Sequence, residues 1–197
     1  MPKEFIAGGQ ISDDELNMIL EAANWAPTHQ KNEPWRFSIL NSSDGIEKYF
    51  DFLQEWYDEH ADSVSESELK HFNRKLNGVR QKWPFHVSHL VLIGMRRQSK
   101  PDKRLPEWEE ISAVAMSVQN MHLMTSVLDR VGGYWSSFNW CRAARDSEEM
   151  KQKYFGKLLP EKDDRIFGAL VLGKYLKGKH FHSTRTDITS KIVFHKR

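Results

Sequence analysis

Between Ser12 and Ile39 the spacing of apolar residues changes from helical to alternating, with a proline at the change. Ser12-Asp13-Asp14-Glu15 reads as a capping box, Ser12 at the N-cap and Glu15 reaching back to it. Leu16, Ile19, Leu20 and Ala23 follow at helical spacing and form one apolar face. Pro27 ends this helix, because proline disfavours helical backbone at the residue before it. A polar loop, Thr28 to Glu33, comes next. Trp35, Phe37 and Ile39 then alternate with Arg36 and Ser38, which predicts a half-buried strand. Ile46, Tyr49, Phe50 and Leu53 mark a second helix. Ser65-Glu66-Ser67-Glu68 predicts another capping box, ahead of Leu69, Phe72, Leu76 and Val79 on one face. Leu90 to Met95 is a short apolar run that predicts a strand buried on both faces.

The longest helical pattern runs from Glu107 to Arg130. Ile111, Val114, Ala115, Val118, Met121 and Thr125 lie along one stripe, and Met116, Leu123, Met124 and Val127 add apolar character elsewhere. A helix apolar on most sides belongs in a core or an interface. Gly132-Gly133 is expected to stop it with a left-handed cap, and Tyr134 to Ser136 to form a short strand. Asp146 and Glu149 open a further helix through Tyr154. Ile166 to Leu172 is the last clear strand, ending at Gly173, and a polar, basic tail follows from Tyr175 to Arg197. Helices interleave with strands, so an α/β (α+β) layered domain is expected, a sheet with flanking helices and one long central helix. Residues 56–70 are acidic but too close to the next helix for a linker, and no repeat occurs. One domain over residues 1–197 follows.

Composition narrows the functions. Apolar residues make up 39% of the 197 and charged residues 28%, as in an ordinary folded domain. A net charge of +2, with both signs dispersed, gives no basic field for nucleic acid. No apolar run approaches the roughly 20 residues that span a bilayer, so no membrane partner is expected. Met1-Pro2-Lys3-Glu4-Phe5 lacks a secretory pattern, which makes a cytoplasmic protein the expectation, a removed leader aside. Cys141 is the single cysteine and cannot form an internal disulfide; a buried or half-buried thiol is expected rather than a nucleophile. His86 and His89, like His180 and His182, lack the acidic or Cys companions of a metal site, and none is expected. Asn120 is expected to serve as a structural hydrogen bonder.

Phosphate-loop, nucleophile-elbow and zinc-protease motifs are missing, and Gly8-Gly9 and Gly132-Gly133 are too short for a dinucleotide fingerprint. The informative segment is Ala22-Ala23-Asn24-Trp25-Ala26-Pro27-Thr28-His29-Gln30-Lys31-Asn32-Glu33-Pro34-Trp35-Arg36-Phe37. It resembles the helix-loop-strand signature of the nitroreductase family, Ala-x-x-Ala-Pro-Ser-x-x-x-Gln-Pro-Trp, with Thr28 at the Ser position and Glu33 at the Gln position. Leu105-Pro106-Glu107-Trp108-Glu109, then Gly132-Gly133-Tyr134-Trp135-Ser136-Ser137, are similar to segments of the family's small bacterial branch. Gly168-Ala169-Leu170-Val171-Leu172-Gly173 with Ser183-Thr184-Arg185 resembles its last core strand and trailing arginine.

The resemblance implies an FMN-dependent oxidoreductase, with FMN held at a homodimer interface and reduced by NADH or NADPH. It implies that Trp25 and His29 reach the flavin of the opposite subunit, that Trp135, Ser136 and Ser137 run beside the isoalloxazine ring, and that Arg185 lies near the FMN phosphate. Such chemistry suits the residue types: a flavin ring takes hydrogen-bond donors, and arginine can bind two phosphate oxygens at once. No side chain need be catalytic. Small nitroaromatics or quinones would be the electron acceptors, in ping-pong turnover. The alternative is a flavin-binding or flavin-less dimeric module without turnover. Its motive is a departure: Lys3-Glu4-Phe5 resembles the family's Arg-x-Phe, so the Arg-Arg-Ser that grips FMN would fall before Met1. Either the chain starts late or the clamp is absent, and FMN retention below full occupancy is expected, offset in part by Lys3 and Arg185. Apart from the resemblance, His29 reads as a solvated loop residue, Trp25 and Trp135 as core fillers, Ser136 and Ser137 as edge hydroxyls, and Arg185 as a solvated charge.

Overall fold

The computed structural model describes residues 4–178 and 183–195; Lys3, His180 and His182 lie outside them. Four strands, β1 (Trp35–Leu40), β2 (His89–Met95), β3 (Val131–Ser136) and β4 (Arg165–Lys174), form one sheet in the order β1-β2-β4-β3, every neighbouring pair antiparallel. Central β2 is buried at all seven positions, as its unbroken apolar run predicts. Helices cover both faces. On one side lie α1 (Asp13–Asn24) and α5 (Glu107–Val127). On the other lie α2 (Ser43–Glu59), α3 (Glu66–Arg80) and the short α4 (Trp83–His86), α6 (Arg142–Arg145) and α7 (Glu148–Tyr154).

The two faces differ in chemistry. The α1/α5 side is aliphatic, built from Ile19, Val91, Ile93, Val114, Met121 and Leu170. The other is aromatic, with Tyr49, Phe50, Tyr57, Phe72, Phe138 and Trp140 packed together; the Tyr57 and Phe72 rings stack 3.9 Å apart. Ile19 is fully buried, and truncating such a side chain to alanine costs about 2–5 kcal/mol.

Local signals act as physical chemistry requires at α1. Ser12 accepts from the Glu15 N–H while the Glu15 carboxylate accepts the Ser12 N–H at 2.9 Å, a complete capping box. Lys174 of β4 donates to Glu15 at 2.6 Å. The corresponding box at α3 forms only in half. Ser65 caps the Glu68 N–H, but the Glu68 carboxylate turns away to take the Tyr57 hydroxyl at 2.7 Å and the Ala143 N–H at 3.1 Å. Asn120 donates to the Ala22 carbonyl at 3.0 Å and ties α5 to α1, the structural role expected of it.

The end of α5 departs from expectation. The helix stops at Val127, and the left-handed residue behind it is Arg130, with φ 56°. Gly132 and Gly133 are not a cap; both lie inside β3. A Cβ on Gly133 would stand 2.8 Å from Leu172 Cδ2, so the glycine makes room for the Leu172 side chain of β4. The buried stripe of α5 is Ala113, Val114, Ser117, Val118, Met121 and Thr125, whereas Ile111 and Ala115 fall outside it. Ile111, Met116, Leu123 and Val127 are exposed, the last at 78%. One chain therefore covers only part of this helix's apolar surface.

In β4 the strand carries an extra residue. Gly94 of β2 faces Ile166 and Leu92 faces Ala169, so two steps on β2 oppose three on β4. The bulge contains Gly168 at φ 90°, and it resets the alternation so that Ala169 and Val171 join Ile166 on the aromatic face.

Candidate functional site

Pro27 ends the first helix, and the loop behind it is held in an uncommon shape. Gln30, Lys31 and Glu33 all have left-handed backbone, at φ 52°, 56° and 44°. For residues with a Cβ this conformation costs roughly 1–2 kcal/mol each, so side chains elsewhere must hold it. His29 Nδ1 donates to Glu109 Oε2 at 2.6 Å and Asn32 Nδ2 to Glu110 Oε1 at 2.7 Å, consecutive carboxylates in the first turn of α5. Arg36 Nη1 donates to the Glu33 carbonyl at 2.8 Å, and the Glu33 N–H reaches Thr28 Oγ1 at 3.2 Å. A carboxylate only accepts, which leaves Nε2 as the His29 ring's uncommitted nitrogen.

Behind the loop, Glu110 has a fully buried side chain ion-paired with Arg97. Arg97 is fixed in turn: its backbone N–H donates to Asp164 Oδ1 at 2.7 Å and its Nη2 to the Leu105 carbonyl at 3.1 Å. Burial, then the like charge of Arg96, pull the neighbouring Arg36 below its ordinary value, a range in which arginine still stays charged.

Trp25 caps α1 and stands 78% exposed, its indole N–H donating to Glu21 at 2.7 Å. It is therefore not the core filler its type alone suggests. It borders an open apolar groove of about 810 Å³, lined by Met18, Leu20, Trp35, Phe37 and Met124 among others. A smaller groove of about 280 Å³ runs past His29 between Pro27, Trp108 and Met116.

The other candidate residues sit at the end of β3. Trp135 is half exposed, and its Nε1 donates to the Phe167 carbonyl at 2.8 Å. That N–H is committed, so only the ring remains for a ligand. Ser136 and Ser137 press their backbone against Gly168. The Ser137 carbonyl accepts from Arg145 Nη1 at 2.6 Å, and Arg145 is itself held by both oxygens of Asp146. Neither serine hydroxyl has a protein partner among the described residues, so both are free to bond outward. Tyr134 stacks on Phe5, and burial pushes its hydroxyl up to about 12, out of reach of proton transfer at neutral pH.

One chain does not unite the two groups. The grooves holding Trp25 and His29 are lined by neither Trp135, Ser136 nor Ser137. Arg185 lies in the tail, exposed, its Nη1 on the Thr184 carbonyl at 2.8 Å, and no contact joins it to the other candidates among the described residues. His86 and His89 hydrogen-bond to the Lys82 carbonyl and the Ser88 hydroxyl. Sequence reasoning missed Asn32, Glu109, Glu110, Arg97 and Arg145. The run Glu107-Trp108-Glu109-Glu110 was a visible signal, but acidic first turns are common because they suit the helix dipole.

The chain is 25% identical over 160 residues to the Escherichia coli K12 protein named "Putative NAD(P)H nitroreductase YdjA", a match covering 81% of this chain and 75% of that one. Among solved structures, a nitroreductase-like family protein of Bacillus cereus superposes with a TM-score of 0.70 at 21% identity, covering 98% of this chain and 89% of the other. A nitroreductase with bound FMN from Bacteroides fragilis gives 0.65 at 17% identity, covering 98% and 94%. At those identities the structures establish the shared fold. The family model described as "Nitroreductase family" matches residues 4–174, a span that takes in every strand of the sheet and ends on the last residue of β4; the chain belongs to the nitroreductase family.

Proposed function

We propose that the chain is an FMN-dependent oxidoreductase that works as a single-domain homodimer. The observation that carries this reading is the close approach at the end of β3, where the backbone of Ser136 and Ser137 presses on Gly168 of β4 and neither hydroxyl has a protein partner among the described residues. The bound FMN named for the Bacteroides fragilis structure supports it. The donors fit a flavin. Ser136 and Ser137 would donate to its oxygens and ring nitrogens, His29 Nε2 would accept from a ring N–H, the Trp135 ring would offer an apolar face, and Arg185 would take the phosphate.

The bound flavin would supply hydride acceptance from NADH or NADPH and electron delivery to a nitroaromatic or quinone. The residues present bind, orient and exclude water; none needs to titrate. Trp25 and His29, separated from Ser136 and Ser137 in one chain, would approach the flavin of the partner subunit across the interface. The exposed apolar residues of α5 support that pairing. Nicotinamide and acceptor would use the same face in turn, giving ping-pong kinetics, and dependence on free nicotinamide suits a cytoplasmic setting.

The test is an absorbance spectrum of the purified full chain with added FMN, followed by anaerobic NADH or NADPH. A flavin spectrum that bleaches with either nicotinamide and recovers with a quinone supports the reading. Bound flavin that neither nicotinamide reduces would point instead to a dimeric module without turnover.

A further inference from the structure

We infer that Asn32, Glu110 and Arg97 form a positioning relay that sets the shape of the loop Thr28–Glu33, and with it the place of His29. The inference rests on the reading above only in assigning that loop to the cofactor. The loop's own bonds are few: Asn32 N–H to the His29 carbonyl at 3.1 Å and Glu33 N–H to Thr28 Oγ1 at 3.2 Å. Neither accounts for left-handed backbone at Gln30, Lys31 and Glu33. Backbone of this kind persists where surrounding structure over-determines it.

That structure is the Glu110 carboxylate. One oxygen pairs with the Arg97 guanidinium, and the other accepts from Asn32 Nδ2 at 2.7 Å and from the Gln98 N–H at 3.4 Å. Glu110 as a whole is 1% exposed, so in the native fold its carboxylate depends on these protein partners. A buried ion pair adds little net stability over apolar packing, which leaves geometry as what this one supplies. Arg97 passes the fix onward through Asp164, whose other oxygen takes the Glu161 N–H at 2.8 Å. The loop is thereby tied to the end of β2, the entry of β4 and the first turn of α5. His29 meets Glu109, one residue before Glu110, so the same helical turn holds the loop at two points.

The test uses the full chain as Asn32→Ala, as Asn32→Asp, and as Asn32→Asp with Glu110→Gln. Asn32→Asp sets two carboxylates face to face; the double variant restores one amide and one carboxylate with their roles exchanged. Amide hydrogen exchange is followed without ligand, and FMN binding by fluorescence titration. Loss of a hydrogen bond to a charged acceptor predicts exchange of the loop amides faster by about tenfold or more in both single variants. The amides of Val91 and Leu170 should keep their wild-type rates, and the double variant should recover most of the loop's protection. Unchanged loop exchange in Asn32→Ala would overturn the relay. Equal acceleration in loop and sheet would also overturn it, since the residues would then only stabilise the fold. If the double variant fails to fold, the two single variants decide. Wild-type protein that binds no FMN would remove the cofactor assignment, and the exchange rates would still decide the relay.

Discussion

A Cβ placed on Gly168 would stand 2.0 Å from the carbonyl oxygen of Ser136. No side chain fits that gap, and the φ of 90° at Gly168 is one that residues with a Cβ avoid. The bulge in β4 thus backs directly onto the backbone of Ser136 and Ser137, at and just past the end of β3. Gly168→Ala should destabilise the protein by at least about 2 kcal/mol, combining left-handed strain with overpacking. It should also loosen the Trp135 bond to Phe167. Urea unfolding measures the first effect, and exchange of the Trp135 indole N–H the second.

His29→Ala removes an exposed partner of Glu109, and exposed pairs contribute about 0–1 kcal/mol. Unfolding should therefore change little, while FMN binding should weaken several-fold if the loop touches the cofactor. A urea curve and an FMN titration on the same variant separate the effects. Unaltered affinity and activity would make His29 a solvated loop residue.

Leu123 and Val127 leave an apolar surface that one chain does not cover. The protein should sediment as a dimer at micromolar concentration. Leu123→Glu with Val127→Glu should shift it to monomer, because burying two unpaired carboxylates is costly. A wild-type monomer at that concentration would remove the interface.

His89 is buried at the start of β2, and desolvation holds its pKa below the ordinary 6.5. In the unfolded chain the ring takes a proton as pH falls through 6.5, while in the fold it stays neutral to lower pH. Its contribution is thus complete above the unfolded value and is lost as pH drops toward the folded one. Urea stability should decline as pH falls below about 6.5, and His89→Asn, which retains a polar atom near Nδ1, should decline less over the same range.

Much of the framework is legible where a signal is local. The capping box at Ser12, the doubly buried β2 and the break at Pro27 each depend on neighbours a few residues away. What escaped depends on distant partners. Gly132-Gly133 looks like a helix cap because a capping glycine and one that admits Leu172 are the same residue in sequence. Glu68 forms half a box because Tyr57 and Ala143 compete for its carboxylate. Ile111 turns outward because rotation of α5 is fixed by α1 and the sheet. In the candidate site, the family segments single out Trp135 and His29, but the buried link from Asn32 to Arg97 joins the loop, α5 and the segment after β2. No spacing along the chain announces it.

The lone thiol has a use that follows from its place. Cys141 is fully buried in the aromatic half of the interior, and burial pushes its thiol well above the ordinary range, so the native molecule presents almost no thiolate to a reagent. Alkylation must wait until that half opens. The rate at which an electrophile is consumed thus counts openings of the aromatic layer, with no engineered label, and comparing that rate with and without FMN would reveal whether the cofactor steadies the side of the sheet away from α1 and α5.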